Sequence, residues 1–192
     1  MPTALTFSMV WQQQPGQQSA DEKGTECFAA VVSSISTHYG QPVTAASVLR
    51  RYDRIRNPAS EAGGGGSLEI SLTQHKLANC ISTPARNPIP TFAQIKAQID
   101  QGRPVAFGIG QVGRSGHLSA HALAIIGYDD AAQTVLALDP WRDAEHNQVW
   151  FTFPLTWDEP IAQRLPSGYD KAKISKVIAT KSPMAKTTKP WP

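Results

Sequence analysis

The sequence predicts an α+β fold in which helices come first and an antiparallel sheet follows. Two observations carry that expectation. The first hundred residues hold segments with apolar residues at helical spacing, each opened by a capping residue. The remainder holds short apolar runs separated by turn signals, without helical segments between them. No internal repeat is present, so the chain does not read as a solenoid.

Length and composition narrow the class. The chain has 192 residues, enough for one domain with a sizeable core. The expected organisation is a single domain over 1–180 and a flexible tail over 181–192, rich in Lys, Thr and Pro. Hydrophobic residues make up 41% and charged residues 17%, the balance of a globular protein. The net charge of +3 is small and scattered, apart from Arg50, Arg51, Arg54 and Arg56 and the lysine-bearing C-terminal end. No basic patch interleaved with aromatics argues for nucleic acid. No run reaches the length of a membrane span, which argues against membrane insertion. Residues 1–10 lack the basic start, apolar stretch and small-residue cleavage site of a secretory signal. The two cysteines, Cys27 and Cys80, are too few for a disulfide framework. A cytoplasmic protein is expected, or one exported without a cleaved signal.

Taken in order, Ala4 to Trp11 has the alternation of a short strand. A glutamine-rich loop follows, with a Pro-Gly turn. Thr25 is placed to cap a helix that starts near Cys27 and carries Phe28, Val31, Val32, Ile35 and Tyr39 on one face, with Gly40 as its stop. Thr44 caps a second helix, ended by Asn57-Pro58. Gly63 to Gly66 reads as a loop; no phosphate-loop lysine follows it. Ser67 is expected to cap a short helix to about Ala78, with Cys80 just beyond. Thr91 and Gln94 have capping-box spacing ahead of a helix stopped by Gly102. Strands are expected at 104–109, 121–128, 135–138, 148–153 and 174–179, with a loop over 110–119 and a tight turn over 129–133. They form a meander.

The chemistry concentrates at three places. A thiol at a helix N-terminus feels the positive end of the helix dipole, which favours the thiolate. Cys27 holds that position. A thiolate nucleophile needs a histidine to manage its proton and a third group to orient the histidine. Of five histidines, His38 lies about three turns along the same helix and is too far away. His75 reads as a surface-helix residue and His146 as a loop residue. His117 sits in the polar loop, and His121 opens the long apolar strand. The hairpin that follows brings the strand start near the end of the next strand. With Gly127 opposite Thr134, His121 falls level with position 140, beside Asp139. Which face Asp139 takes depends on the turn register. No Cys/His pair has metal-ligand spacing, and no cofactor is called for.

With these residues in place, the chain resembles the bacterial papain-like cysteine peptidases, the group that includes bacteriocin-leader peptidases, staphopain-like enzymes and effector proteases. The resemblance rests on Glu26-Cys27-Phe28-Ala29-Ala30, Gly102-Arg103-Pro104-Val105, the run from His121 through Gly127-Tyr128-Asp129, and Leu138-Asp139-Pro140-Trp141. It spans roughly Trp11 to Phe153. It implies a helical part packed on a sheet part with the cleft between them, a peptide or protein as substrate, and hydrolysis through a thioester. Cys27 would be the nucleophile, His121 the base and then the acid, and Asp139 the orienting group. It also implies an oxyanion-binding glutamine upstream of the cysteine, for which Gln14 and Gln18 are both candidates; Gln14 is preferred because it follows the first strand. His117 and Trp141 would contact substrate at the cleft. Phe28 stands where many members have tryptophan. The same fold and residues would also serve a deamidase, transglutaminase or cell-wall amidase, or an inactive peptide-binding module.

Overall fold

The computed structural model describes residues 2–11, 27–54, 65–112, 118–141, 147–161, 165, 172–185 and 191. One antiparallel sheet organises it. Its strands are β1 (Thr3–Ala4), β2 (Ala78–Ser82), β3 (Val105–Val112), β4 (Leu118–Asp129), β5 (Thr134–Leu138), β6 (Gln148–Thr152) and β7 (Lys173–Thr180). They lie in the order β2-β7-β3-β4-β5-β6, and β1 pairs with the end of β4. Strand β7 therefore returns to the near side of the sheet, between the edge strand β2 and β3, and the sheet is not a simple meander.

Two cores cover the two faces. Helices α1 (Cys27–His38), α2 (Ala45–Asp53) and α3 (Gly65–Gln74) share one core with Ala106, Ala122, Ala124, Ile126, Leu136, Leu138 and Ile178. Helix α4 (Phe92–Asp100) packs on the opposite face, against Phe107, Leu123, Ile125, Val135 and Val177. Among the described residues, no helix is long and apolar enough to cross a membrane.

The helices begin and end for local reasons. Phe28 to Ser36 of α1 are all buried, so this helix runs through the core and not along its rim. Its serines are satisfied within the core: Ser33 Oγ donates to the Val43 carbonyl at 2.6 Å and Ser34 Oγ to the Ala30 carbonyl at 2.7 Å. Gly40 stops it at φ +71°. The Gln41 N–H reaches the Ser36 carbonyl and the Gly40 N–H the Thr37 carbonyl, the paired bonds of a Schellman end. Thr44 caps α2, and Thr91 with Gln94 forms a full capping box on α4. Thr25 lies outside the described residues.

Several elements differ from expectation. Helix α3 starts at Gly65, ahead of Ser67, and ends at Gln74. It closes with the same paired bonds as α1, but the left-handed residue is Lys76, at φ 58°. A lysine there gives no stop signal, so the helix reads too long and the strand Ala78–Ser82 is missed. Strands β3 and β4 both run on through much of the expected loop over 110–119. The first strand is only Thr3–Ala4; beyond it, the Val10 N–H donates to Ser34 Oγ at 2.7 Å instead of joining a ladder.

The hairpin register matters most. Beside the turn, Asp129 pairs with Thr134 and Gly127 with Leu136, two residues from the expected alignment. The register then shifts by one between Ile125 and Gly127, so that Ala124 pairs with Leu138. This is a β-bulge at Ile126. It puts Ile126 on the α1 face together with Ala124 and Leu136, while Tyr128 joins the α4 face.

Gly127 sits at that bulge with β1 laid against it. A Cβ there would lie 2.5 Å from the Thr3 carbonyl oxygen and 2.9 Å from the Ala4 Cβ. Gly127→Ala should therefore destabilise the fold by about 1–3 kcal/mol through overpacking against backbone. Gly40→Ala has open space around it and meets only the cost of its positive φ, about 1–2 kcal/mol. Thermal unfolding of both variants checks the difference in kind: only Gly127→Ala should also raise hydrogen exchange in β1.

Candidate active site

Three elements converge on the site. Helix α1 supplies Cys27 at its first turn, β4 supplies His121, and the end of β5 supplies Asp139. The Cys27 Sγ lies 4.0 Å from the Ala120 carbonyl oxygen, which brings the thiol to the strand residue next to His121. The His121 ring hydrogen-bonds the Cys27 side chain. On its other side, His121 Nε2 lies 2.7 Å from Asp139 Oδ1. With Nε2 on the carboxylate, Nδ1 is the ring nitrogen left for the sulfur.

The bulge makes this geometry possible. One step beyond the Ala124–Leu138 pair, Asp139 stands level with Leu123, two residues from His121. Residues two apart on a strand point the same way, so Asp139 and His121 form a diagonal pair on one face. If the alignment beside the turn had continued unbroken, Asp139 would stand level with Ala124 and face away from His121. The sequence-based register brought Asp139 near His121 but could not assign its face; the inserted residue assigns it.

Burial sets the electrostatics. His121 is 4% exposed and Asp139 0%. Burial alone would push the ring toward its neutral form. The hydrogen bonds and charges of Asp139 and Cys27 outweigh it, and the His121 pKa is pushed up to about 9. At neutral pH the ring thus holds both protons, one directed at a carboxylate and one at a sulfur. Asp139 is itself fixed. Its Oδ1 also accepts the Trp141 N–H at 2.9 Å, and its own N–H donates to the Asn147 carbonyl at 2.8 Å. Trp141 is half-buried beside the pair.

Gln14, Gln18 and His117 lie outside the described residues. His38 Nε2 is 2.8 Å from the Gly102 carbonyl oxygen, at the far end of α1. His75 follows α3, and burial together with Arg51 pushes its pKa down. Cys80 is a free thiol in β2, 6% exposed, and burial pushes its pKa up. Asn147 is the residue that sequence reasoning missed. It precedes β6, and the pairing of Leu138 with Gln148 carries it opposite Asp139. The residues between the two strands hide that register in the sequence.

Among solved structures, the fold is similar to that of the active wild-type interpain A cysteine protease of Prevotella intermedia, with a TM-score of 0.51. The likeness covers 92% of this chain and 94% of that one at 13% identity, a likeness of fold. No curated protein matches the sequence. A family of peptidases does, over residues 5–160, a span that includes Cys27, His121 and Asp139. The chain belongs to the Peptidase_C39 like family, on a papain-like α+β fold.

Proposed function

We propose that the chain is a cysteine peptidase that hydrolyses peptide bonds through Cys27, His121 and Asp139. The observation that carries this reading is the continuous contact from Asp139 through the His121 ring to the Cys27 thiol. Cys27, as the thiolate, attacks the scissile carbonyl carbon, and the C=O electron pair moves onto oxygen. The Cys27 backbone N–H, at the helix start, stabilises that oxyanion together with a glutamine side chain, Gln14 in preference to Gln18. As the intermediate collapses, the C–N bond breaks and the His121 imidazolium gives its proton to the leaving amine. A thioester remains. His121, now neutral, takes a proton from water, and the hydroxide adds to the thioester carbonyl. The thiolate leaves, the acid product departs, and His121 is again the imidazolium.

Asp139 holds the ring in orientation and favours its charged form. Trp141, fixed to Asp139 through its backbone N–H, and His117 are assigned to the cleft rim, where they contact substrate. The substrate is a peptide or protein chain, and the reaction draws on no cofactor.

Three experiments test this reading. Cys27→Ala should abolish peptide cleavage and labelling by an epoxide inhibitor, while Cys80→Ala keeps both; the reverse result would move the nucleophile to Cys80. The pH profile should show a basic limb. A raised histidine pKa means that the imidazolium is present below about 9 and is lost as pH rises through that value, so kcat/KM falls there. Asp139→Asn removes the charge that raises it, and the limb should move to lower pH. A limb that stays in place in Asp139→Asn would dissociate Asp139 from the histidine. Gln14→Ala should lower kcat by about 10²–10³-fold with little change in KM, and Gln18→Ala should not.

A further inference from the structure

Helix α2 carries a row of cations that the chemistry above does not use. Ser47, Arg50, Arg51 and Arg54 stand at i, i+3, i+4 and i+7, the spacing of one helix face. Arg54 caps the helix and keeps helical dihedral angles, so the row continues through it. Together the four residues line an open hollow of about 270 Å³. The three arginines are exposed and Ser47 is half-buried. The other side of α2 is committed to the core. Ala45 and Val48 are buried there with residues of α1, and the Tyr52 ring lies 5.1 Å from the Phe28 ring. The arginine row therefore faces outward, across α2 from Phe28 and Cys27.

This row has no counter-charge. The ion pairs among the described residues are Lys96–Asp130, His121–Asp139 and Lys176–Glu69, and none reaches an arginine of α2. The positive field extends beyond the helix: burial and Arg51 together push down the pKa of His75, which follows α3. Folding does not account for the row. A helix C-terminus favours nearby cations, and Arg50 and Arg51 lie in the last turn. Like charges three and four residues apart repel by a similar amount, as Arg51 and Arg50 do with Arg54. The two effects offset each other, so the cluster adds little to the fold.

Its geometry selects a partner. A guanidinium grips a carboxylate with two parallel N–H···O bonds. Arg50 and Arg54 are separated by about 6 Å along the helix axis. Alternate residues of an extended chain stand about 6.6 Å apart and point the same way. An extended polypeptide with acidic residues at alternate positions thus sets one carboxylate at each of these arginines, with Arg51 and the Ser47 hydroxyl beside them. Other polyanions fit less well. Among the described residues that line the hollow, none is aromatic, so no platform stacks a nucleobase. The apolar side of α2 is buried and cannot lie in a membrane surface.

We infer that the Arg50, Arg51 and Arg54 face of α2 is a docking surface for an acidic segment of a partner polypeptide, separate from the Cys27 site. The guanidiniums are exposed, so the contact is weak and sensitive to salt.

The test is a binding titration in a Cys27→Ala background, which leaves the probe intact and keeps the result independent of the peptidase reading. The probes are a labelled peptide with glutamate at every second residue and its glutamine twin. An exposed ion pair contributes at most about fivefold, so the row should favour the glutamate peptide about tenfold or more at low salt. The difference should shrink as salt rises. Arg50→Gln with Arg54→Gln should lose it. Removal of two cations elsewhere, Arg86→Gln with Lys173→Gln, should keep it. Arg50→Glu with Arg54→Glu should instead bind the matching lysine peptide. Equal binding of the two probes, or an equal loss in both pairs of glutamine substitutions, would overturn the inference. So would single-stranded DNA or phosphatidylserine vesicles held more tightly than the glutamate peptide through the same two arginines. Should Arg50→Gln with Arg54→Gln fail to fold, Arg54→Gln alone carries the test, and an unchanged glutamate preference there counts against it.

Discussion

The site depends on one inserted residue in β4. A hairpin carries its side chains in strict alternation, and a shift of one residue sends every following side chain to the opposite face. The bulge at Ile126 makes that shift once, between the turn and His121. Turn-side of it, Gly127 and Leu136 face α1; beyond it, His121 and Asp139 share a face and meet at 2.7 Å. The bulge is held from outside the hairpin. Strand β1 lies against Gly127, and the Leu5 N–H donates to the Ile126 carbonyl at 2.8 Å. A bulge leaves ladder groups unpaired, and the N-terminal segment pairs this one. Thr3, Ala4 and Leu5 thus help set the phase of a hydrogen bond more than a hundred residues downstream.

The same segment also braces the helix that carries Cys27. After β1 it passes Phe7 beside the His38 ring, then runs to Ser34, which holds both the Val10 N–H and Met9 Sδ. Helix α1 is buried along nine consecutive residues. A helix enclosed in that way cannot roll or slide without breaking close packing, so the position of Cys27 is as fixed as the core is. The sheet fixes His121 and Asp139 and the core fixes Cys27, and the two supports meet through the core on the α1 face and through the N-terminal segment.

The amino-acid sequence makes the helices legible where a cap or stop has its own chemistry. Thr44, Thr91 with Gln94, Gly40 and Gly102 mark ends that the structure reproduces. It misleads where a residue without such chemistry takes the role, as Lys76 does at the end of α3. The contiguity of His121 and Asp139 in space is foreshadowed because a tight turn after an apolar strand forces the strand's start back toward its partner's end. The face taken by Asp139 is not, because a bulge is a response to packing by β1 and leaves no mark beyond the glycine at 127. Lys176 escapes notice for a related reason. In the sequence it is one charge among apolar strand residues, and only the return of β7 to lie between β2 and β3 puts it across from Gly108.

Two buried cations in one sheet show how burial alone decides nothing. His121 and Lys176 are 4% and 7% exposed, yet one pKa rises and the other falls. The difference lies in the partner. Asp139 is fully buried at 2.7 Å and held by two further backbone hydrogen bonds, so its field is unscreened and its position is set. Removing one member of such a pair costs about 3–5 kcal/mol. Glu69 stands at 3.5 Å with a third of its side chain in water, where an ion pair is worth about 1 kcal/mol or less. A pair with both partners buried and fixed holds its proton. The sheet therefore carries a strong pair beside Cys27, where both partners are buried, and a weaker one between Lys176 and Glu69, where one partner stands in water.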